Sequence, residues 1–116
     1  MSRAERERLG RLAELRASLW LNLHGWWVLD RRVKTVVGEI DLIARRGRTV
    51  AFIEVKWRKK AADLDLAIDE YRLRRVAAAA EAVAHRYARP GDTVRIDVLL
   101  LAPGRWPRHI VNAWQP

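Results

Sequence analysis

The sequence predicts an α/β fold, a mixed β-sheet flanked by helices, in the order α-β-β-β-α-β-β. Three observations predict it. Apolar residues recur with helical spacing over Leu9–His24 and again over Ala61–Ala88. "GEIDLIA" and "TVAFIEVKW" alternate with the period of a strand and are joined by a glycine-containing turn. The second helical stretch then precedes a clear strand, "TVRIDVLLL", and a helical crossover lets that strand return parallel to an earlier one, almost always with right-handed sense.

Residues 1–8, "MSRAERER", carry too little apolar surface to anchor themselves and read as a frayed tail or a first helical turn. In the first helix Leu9, Ala13, Ala17 and Trp20 form one stripe and Leu12, Leu15, Leu19 and Leu23 a second, so the helix is expected to pack on two sides before Gly25 stops it. "WWVLDRRV" reads as a first strand running into a polar turn. In "GEIDLIA", Glu39, Asp41 and Ile43 fall on one face and Ile40, Leu42 and Ala44 on the other. "RRGR" is the turn, and in the next strand Phe52, Glu54 and Lys56 share a face opposite Ile53, Val55 and Trp57. The long helix presents Leu73, Val76, Ala80, Val83 and Tyr87 inward and ends at "RPGD". "APGRWPR" is a turn, and "HIVNAW" a short terminal strand.

A length of 116 residues fits one domain over 1–116, and 50% hydrophobic with 32% charged residues allows a core. The formal charge is +9, and Arg far outnumbers Lys. Such a surface favours phosphate-bearing partners, although basic composition also serves solubility alone. The absence of cysteine removes disulfides, thiolate metal sites and cysteine nucleophiles, and is compatible with the cytoplasm. The longest apolar window, Ser18–Leu29, is broken by Asn22, His24 and Gly25 and is shorter than the roughly 20 residues a bilayer needs, so no membrane association is expected. No A-x-A-like cleavage site follows it, and the chain reads as soluble and unprocessed. No P-loop, Rossmann glycine pattern or serine-hydrolase motif occurs.

The stretch "GEIDLIARRGRTVAFIEVK" places Asp41, Glu54 and Lys56 inside strands, where acids are disfavoured and a buried carboxylate is costly unless paired. If Arg45 lies opposite Arg48, Asp41 and Glu54 project from the same face one diagonal step apart; a four-residue loop sets them directly opposite; a three-residue loop separates them unless a bulge intervenes. Two adjacent carboxylates repel, and one would hold a proton. Mg²⁺ resolves that conflict, since it takes one or two carboxylates, waters and phosphate oxygens, and the Val55 carbonyl can add an oxygen. A metal polarises a phosphodiester and activates water, and the Lys56 ammonium can orient the nucleophile and offset developing charge. D-x₁₂-E-x-K is therefore a sufficient core for metal-dependent cleavage of a nucleic-acid backbone. It also arises by chance, and a surface hairpin with an ordinary Glu–Lys pair is the plain alternative.

"GEIDLIA…FIEVKWR" resembles the PD-(D/E)XK nuclease superfamily, and more narrowly the YraN-like uncharacterised bacterial family, which is similar to archaeal Holliday junction resolvases. The resemblance runs from about Gly10 to Asp97 and includes "GRLAEL" in the first helix and "RIDV" in a later strand. It implies a restriction-endonuclease-like core and a Mg²⁺- or Mn²⁺-dependent DNA endonuclease acting on branched or single-stranded DNA. Asp41 and Glu54 would be metal ligands, Lys56 the catalytic lysine, and Glu14 would complete the acidic cluster; Glu39 belongs to the motif, with an arginine partner expected rather than a metal. It also implies a homodimer, because junction resolvases work as symmetric dimers.

There are departures. The family often has Lys-Gln where Arg72 and Leu73 stand, and a small residue where Trp57 follows the lysine. Arg retains the charge but not the compact ammonium geometry, which motivates a second reading, a non-catalytic nucleic-acid-binding protein on a nuclease scaffold. A third is an interaction protein whose basic face meets an acidic partner.

Phosphate contacts are expected from Arg45, Arg46 and Arg48 at the hairpin turn, from Arg58, Lys59 and Lys60, and from Arg72, Arg74 and Arg75 on the second helix. Of Trp26 and Trp27 only one can face a given side; core packing is the expected role, with Trp106 the most exposed tryptophan. His24, His85 and His109 show no ligand spacing and receive no role.

Overall fold

A computed structural model describes residues 2–60 and 69–114. The elements are α1 (Arg3–Leu23), β1 (Trp27–Thr35), β2 (Gly38–Arg46), β3 (Thr49–Trp57), α2 (Glu70–Tyr87), β4 (Thr93–Leu101) and β5 (Arg108–Ile110). They form a five-stranded sheet in the order β1-β2-β3-β4-β5. All neighbours are antiparallel except β3 and β4, which α2 connects in parallel. The mixed sheet with covering helices is the predicted class.

Two apolar layers fill the two faces. Under α2, Leu73, Val76 and Val83 pack on Ile43, Val50, Phe52, Ile96 and Val98. Under α1, Ala13, Ala17 and Leu21 pack on Leu42, Ala44, Ile53 and Leu99. Alternation along β3 and β4 is the cause: Ile53 and Leu99 point one way, Phe52 and Val98 the other. The small residues of α1 let its backbone lie close to the sheet, and buried Ser18 meets its hydroxyl need by donating to the Glu14 carbonyl.

Several expectations require correction. Residues 3–8 take the helical alternative rather than the frayed tail: Ser2 caps α1 by accepting from the Glu5 N–H, and the helix starts at Arg3. The second stripe of α1 is not packed, and Leu12, Leu15, Leu19 and Leu23 face outward because the sheet covers only one side of the helix. The long helix does not run through Asp69, which is extended and caps α2 by accepting from the Tyr71 and Arg72 N–H groups; the predicted helical stretch 61–68 lies outside the described residues. The first strand continues past the supposed polar turn to Thr35, and the turn falls on Val36–Val37 instead. The terminal strand ends at Ile110, since Asn112 takes a left-handed φ of 54°.

The alternation of β2 also breaks, and it does so at Asp41. Ile40 joins the layer under α2, whereas Leu42 joins that under α1. Both ladders lapse at this residue. The β2–β3 register begins at Leu42↔Ile53, and in the β1–β2 register the pair between Arg31↔Leu42 and Val33↔Ile40 is missing. Arg32, which would stand opposite Asp41, has a left-handed φ of 52°. Such a conformation costs a non-glycine residue about 1–2 kcal/mol, and here it accompanies release of Asp41 from regular pairing.

Candidate active site

The β2–β3 hairpin closes with Arg46↔Thr49, so continuation of the register sets Asp41 directly opposite Glu54. Of the registers the sequence allowed, this is the one in which the two acids meet. Freed from the ladder, the Asp41 side chain accepts a hydrogen bond from the Val55 N–H at 2.8 Å. That bond replaces a strand-to-strand contact with a carboxylate contact and orients Asp41 toward the end of β3.

Glu54 is buried, with 3% of its surface exposed. Its Oε1 lies 3.3 Å from Lys56 Nζ and 3.0 Å from an Arg72 guanidinium nitrogen. Neither contact has hydrogen-bond geometry, so this buried oxygen has two positive neighbours and no hydrogen bond. Asp41 carries the complementary signature. Burial, then the charges of Glu54 and Glu14, push its carboxyl up to about 7, against the opposing pull of the Val55 N–H and Arg72.

Glu14 reaches the same cleft from α1, one turn beyond Gly10, but its Oε1 is held at 2.6 Å by Arg32 Nε. Glu39 is exposed and pairs with Lys34 across the ladder rather than with an arginine. Among the described residues no group of three or more His, Asp and Glu side chains is placed to hold an ion. The donors that fit a hard divalent cation are the Asp41 and Glu54 carboxylates with the Val55 carbonyl, a set that substrate and water oxygens complete. The orphaned Glu54 oxygen and the proton-retaining Asp41 are the two observations that match this donor set to such an ion.

A cleft of about 440 Å³ opens at the acidic pair, lined by Gly10, Glu14, Asp41, Glu54, Lys56 and Arg72 among others. It adjoins a second of about 830 Å³ that shares Gly10, Glu14, Asp41 and Arg72. The cations of this second cleft are Arg3, Arg6 and Arg11 from α1 and Arg32 and Lys34 from β1. No motif in the sequence points to these residues. Helical spacing back from Glu14 through Gly10 to Arg6 and Arg3 is a usable signal, masked by the low apolar content of residues 1–8.

The expected phosphate contacts divide. Arg58 and Lys59 line the acidic cleft with Arg72, and Arg75 lies beside it with Tyr71. Arg45, Arg46 and Arg48 lie at the other end of the hairpin from Asp41, about 16 Å along the strand. There Arg45 binds Asp92 at 2.7 Å and the Tyr87 carbonyl, Arg46 covers the Trp26 ring, and Arg48 lies over Gly91. Lys60 and Arg74 are exposed.

The "RIDV" segment has a different task. Asp97, fully buried on β4, accepts from Arg95 through both oxygens, pairs with His109 Nε2 at 2.7 Å and accepts from the Asn112 N–H. Burial alone would raise its pKa; the bonds from His109, Arg95 and Asn112 outweigh that and hold it below the ordinary carboxylate range. This cluster ties β5 and the chain after it to the sheet. His109, given no role from sequence, is part of it, and His24 stacks on Trp20 and bonds its carbonyl. Trp26 is buried and Trp27 exposed, as the alternation required, and Trp106 is 90% exposed.

Comparison with known proteins agrees with this architecture. A solved structure of Hjc, a Holliday junction resolvase from the archaeal hyperthermophile Archaeoglobus fulgidus, superposes with a TM-score of 0.57 at 21% identity, covering 88% of this chain and 71% of that one. This chain thus shares the fold of a Holliday junction resolvase. A UPF0102 protein from Sphingopyxis alaskensis is 68% identical over the full length of both chains, and one from Erythrobacter litoralis 66% identical over the same extent. A UPF0102 protein from Caulobacter vibrioides is 44% identical over 92% of this chain and 86% of its own. Residues 13–101, which contain the acidic pair, the lysine, Arg95 and Asp97, match the uncharacterised protein family UPF0102, and the chain belongs to that family.

Proposed function

We propose that this protein is a Mg²⁺- or Mn²⁺-dependent endonuclease that hydrolyses phosphodiester bonds in DNA. The observation that carries the reading is the meeting of Asp41, Glu54 and Lys56 at the mouth of a basic cleft, with one buried carboxylate oxygen left without a hydrogen bond. The likeness to a Holliday junction resolvase supports a nucleic-acid substrate, and branched or single-stranded DNA is the form it favours.

Asp41, Glu54 and the Val55 carbonyl would hold the cation. When bound, it would supply Lewis acidity to the scissile phosphate and to the attacking water. Lys56, adjacent to Glu54 and mostly shielded from solvent, places a positive charge where the phosphoryl oxygens gain negative charge. Arg72, half-exposed beside Glu54, would be placed to take a phosphate oxygen. Arg6, Arg32 and Lys34 extend the positive surface and hold the flanking backbone. Glu14, through Arg32, keeps that guanidinium at the edge of the cleft.

Calorimetric titration with Mn²⁺ and a cleavage assay test this together. Asp41→Ala and Glu54→Ala should each abolish binding and cleavage while leaving the fold intact, and unchanged metal affinity in both rejects the reading. A second reading is favoured by one observation, the Arg72–Glu54 ion pair: a nucleic-acid-binding protein whose site is closed by its own arginine. DNA binding without turnover on flaps, four-way junctions and single strands in Mg²⁺ or Mn²⁺ selects it.

A further inference from the structure

The turn between β1 and β2 departs from ordinary turn chemistry. Thr35 pairs with Gly38, and the two residues between them are valines. Two-residue hairpin turns favour Asn, Asp and Gly with positive φ, whereas valine is a strand former. Neither valine has a positive φ. The Thr35 hydroxyl holds the turn instead, accepting from the Val37 and Gly38 N–H groups and donating to the Gly38 carbonyl. A Cβ on Gly38 would come within 2.5 Å of the Arg75 carbonyl, so the base of the turn is seated directly on α2. The result is a rigid tip with Val36 fully exposed and Val37 42% exposed.

Cations outnumber acids beside this tip, six to four in the larger cleft, although Glu7, Glu14 and Glu39 pair with Arg3, Arg32 and Lys34 there. On one side Arg32 and Lys34, a few residues down the same hairpin, line the larger cleft with Arg3 and Arg6. On the other, Arg75 and the exposed Tyr71 line a cleft of about 240 Å³ that also reaches Glu54. An apolar point beside a cleft with an excess of cations, continuous with the acidic pair, matches a partner with anionic rails and flat apolar faces between them. Nucleic acid has that composition.

Resting on the nuclease reading, we propose that Val36 and Val37 form a wedge that enters the base stack at an interruption in duplex DNA while the clefts hold its phosphates. Unstacking a base step is costly, and the cost is least where the stack is already broken at a branch, flap or nick. A tip locked by Thr35 and Gly38 loses little conformational freedom on insertion. The wedge would thereby select discontinuous duplexes and place the interruption near Asp41 and Glu54.

The test uses the full chain with Ca²⁺ in place of Mg²⁺ and branched DNA carrying 2-aminopurine beside the branch. Wild-type protein should raise the fluorescence as the labelled base unstacks. Val36→Ser/Val37→Ser should lose that rise and bind branched DNA about tenfold more weakly, with affinity for oligo(dT), which has little stack to open, unchanged. Val36→Leu, which keeps the apolar tip, should retain both signals. Wild-type affinity and fluorescence in the double serine variant overturn the wedge while leaving the nuclease reading standing, provided both proteins cleave DNA in Mn²⁺. Failure of wild-type protein to bind any DNA at low salt overturns both. Loss in the serine variant of binding to phosphatidylglycerol vesicles, with DNA behaviour unchanged, assigns the tip to a membrane surface and overturns the wedge.

Discussion

Two buried carboxylate clusters lie on the same sheet and have opposite characters. At Asp97 every need is met: Arg95, His109 and the Asn112 N–H supply four hydrogen bonds, and the carboxyl is held in its charged form. At Asp41 and Glu54 the needs are left open. Two acids face each other, one is pushed toward protonation, and a buried oxygen takes no hydrogen bond although two cations stand beside it. Burial is common to both and so does not distinguish them. What does is whether the partners already present complete the charge: the first cluster is a brace, and the second is, on the proposed reading, a receptor for a positive ligand.

The largest effect that could break this contrast is in catalysis. Lys56→Ala should lower kcat for DNA cleavage by about 10²–10³-fold with little change in denaturation midpoint, and full activity in that variant would remove the contrast at its functional end. Asp97→Ala should do the reverse. It leaves Arg95 and His109 mostly buried without their shared anion, and urea denaturation should show a loss of about 3–5 kcal/mol, with Mn²⁺ affinity unchanged in whatever fraction is folded.

Titration sharpens the comparison further. The folded-state pKa of Asp41, about 7, lies above its ordinary value of 3.8. Between those values the folded protein holds a proton that the unfolded chain has released, so stability without divalent cations should fall as pH rises from about 4 to about 7 and level off above. Asp41→Asn should flatten that dependence. On the proposed reading Mn²⁺ displaces the same proton, so its affinity should weaken about tenfold for each pH unit below 7; calorimetry in buffers of different ionisation heat would count the proton released. Asp97 has the opposite sign. Its lowered pKa gives stability that is present above the ordinary carboxylate range and is lost as pH falls through its folded-state value.

The smallest effect concerns Arg72. Arg72→Ala removes the cation paired with Glu54 and, on the proposed reading, one phosphate contact. Mn²⁺ affinity should rise severalfold, while the slope of log affinity for DNA against log salt should drop by about one. A lower Mn²⁺ affinity would mean that the arginine supports the ion rather than competes with it.

Much of this was legible in the sequence. Period-two alternation located β3 and β4, and the D-x₁₂-E-x-K spacing located the acidic pair and its lysine. The limits fell where local pattern and packing part company. Val36 and Val37 carry no turn signal, because valine is a strand former, and only the Thr35 hydroxyl makes a turn of them. Leu12, Leu15, Leu19 and Leu23 read as core because periodicity reports that a face is apolar, not that anything covers it. His109 stands twelve residues from Asp97 in sequence and meets it only through the β4–β5 pairing.

By itself, then, the chain determined its class of fold and which carboxylates could form a site, because side-chain alternation and residue chemistry are local properties. The tertiary structure decided which of them remain unsatisfied. Hydrogen-bond and charge partners come from strands and helices distant in sequence, and the lapse of both ladders at Asp41, with Arg32 turned left-handed opposite it, exists only once β1, β2 and β3 are assembled.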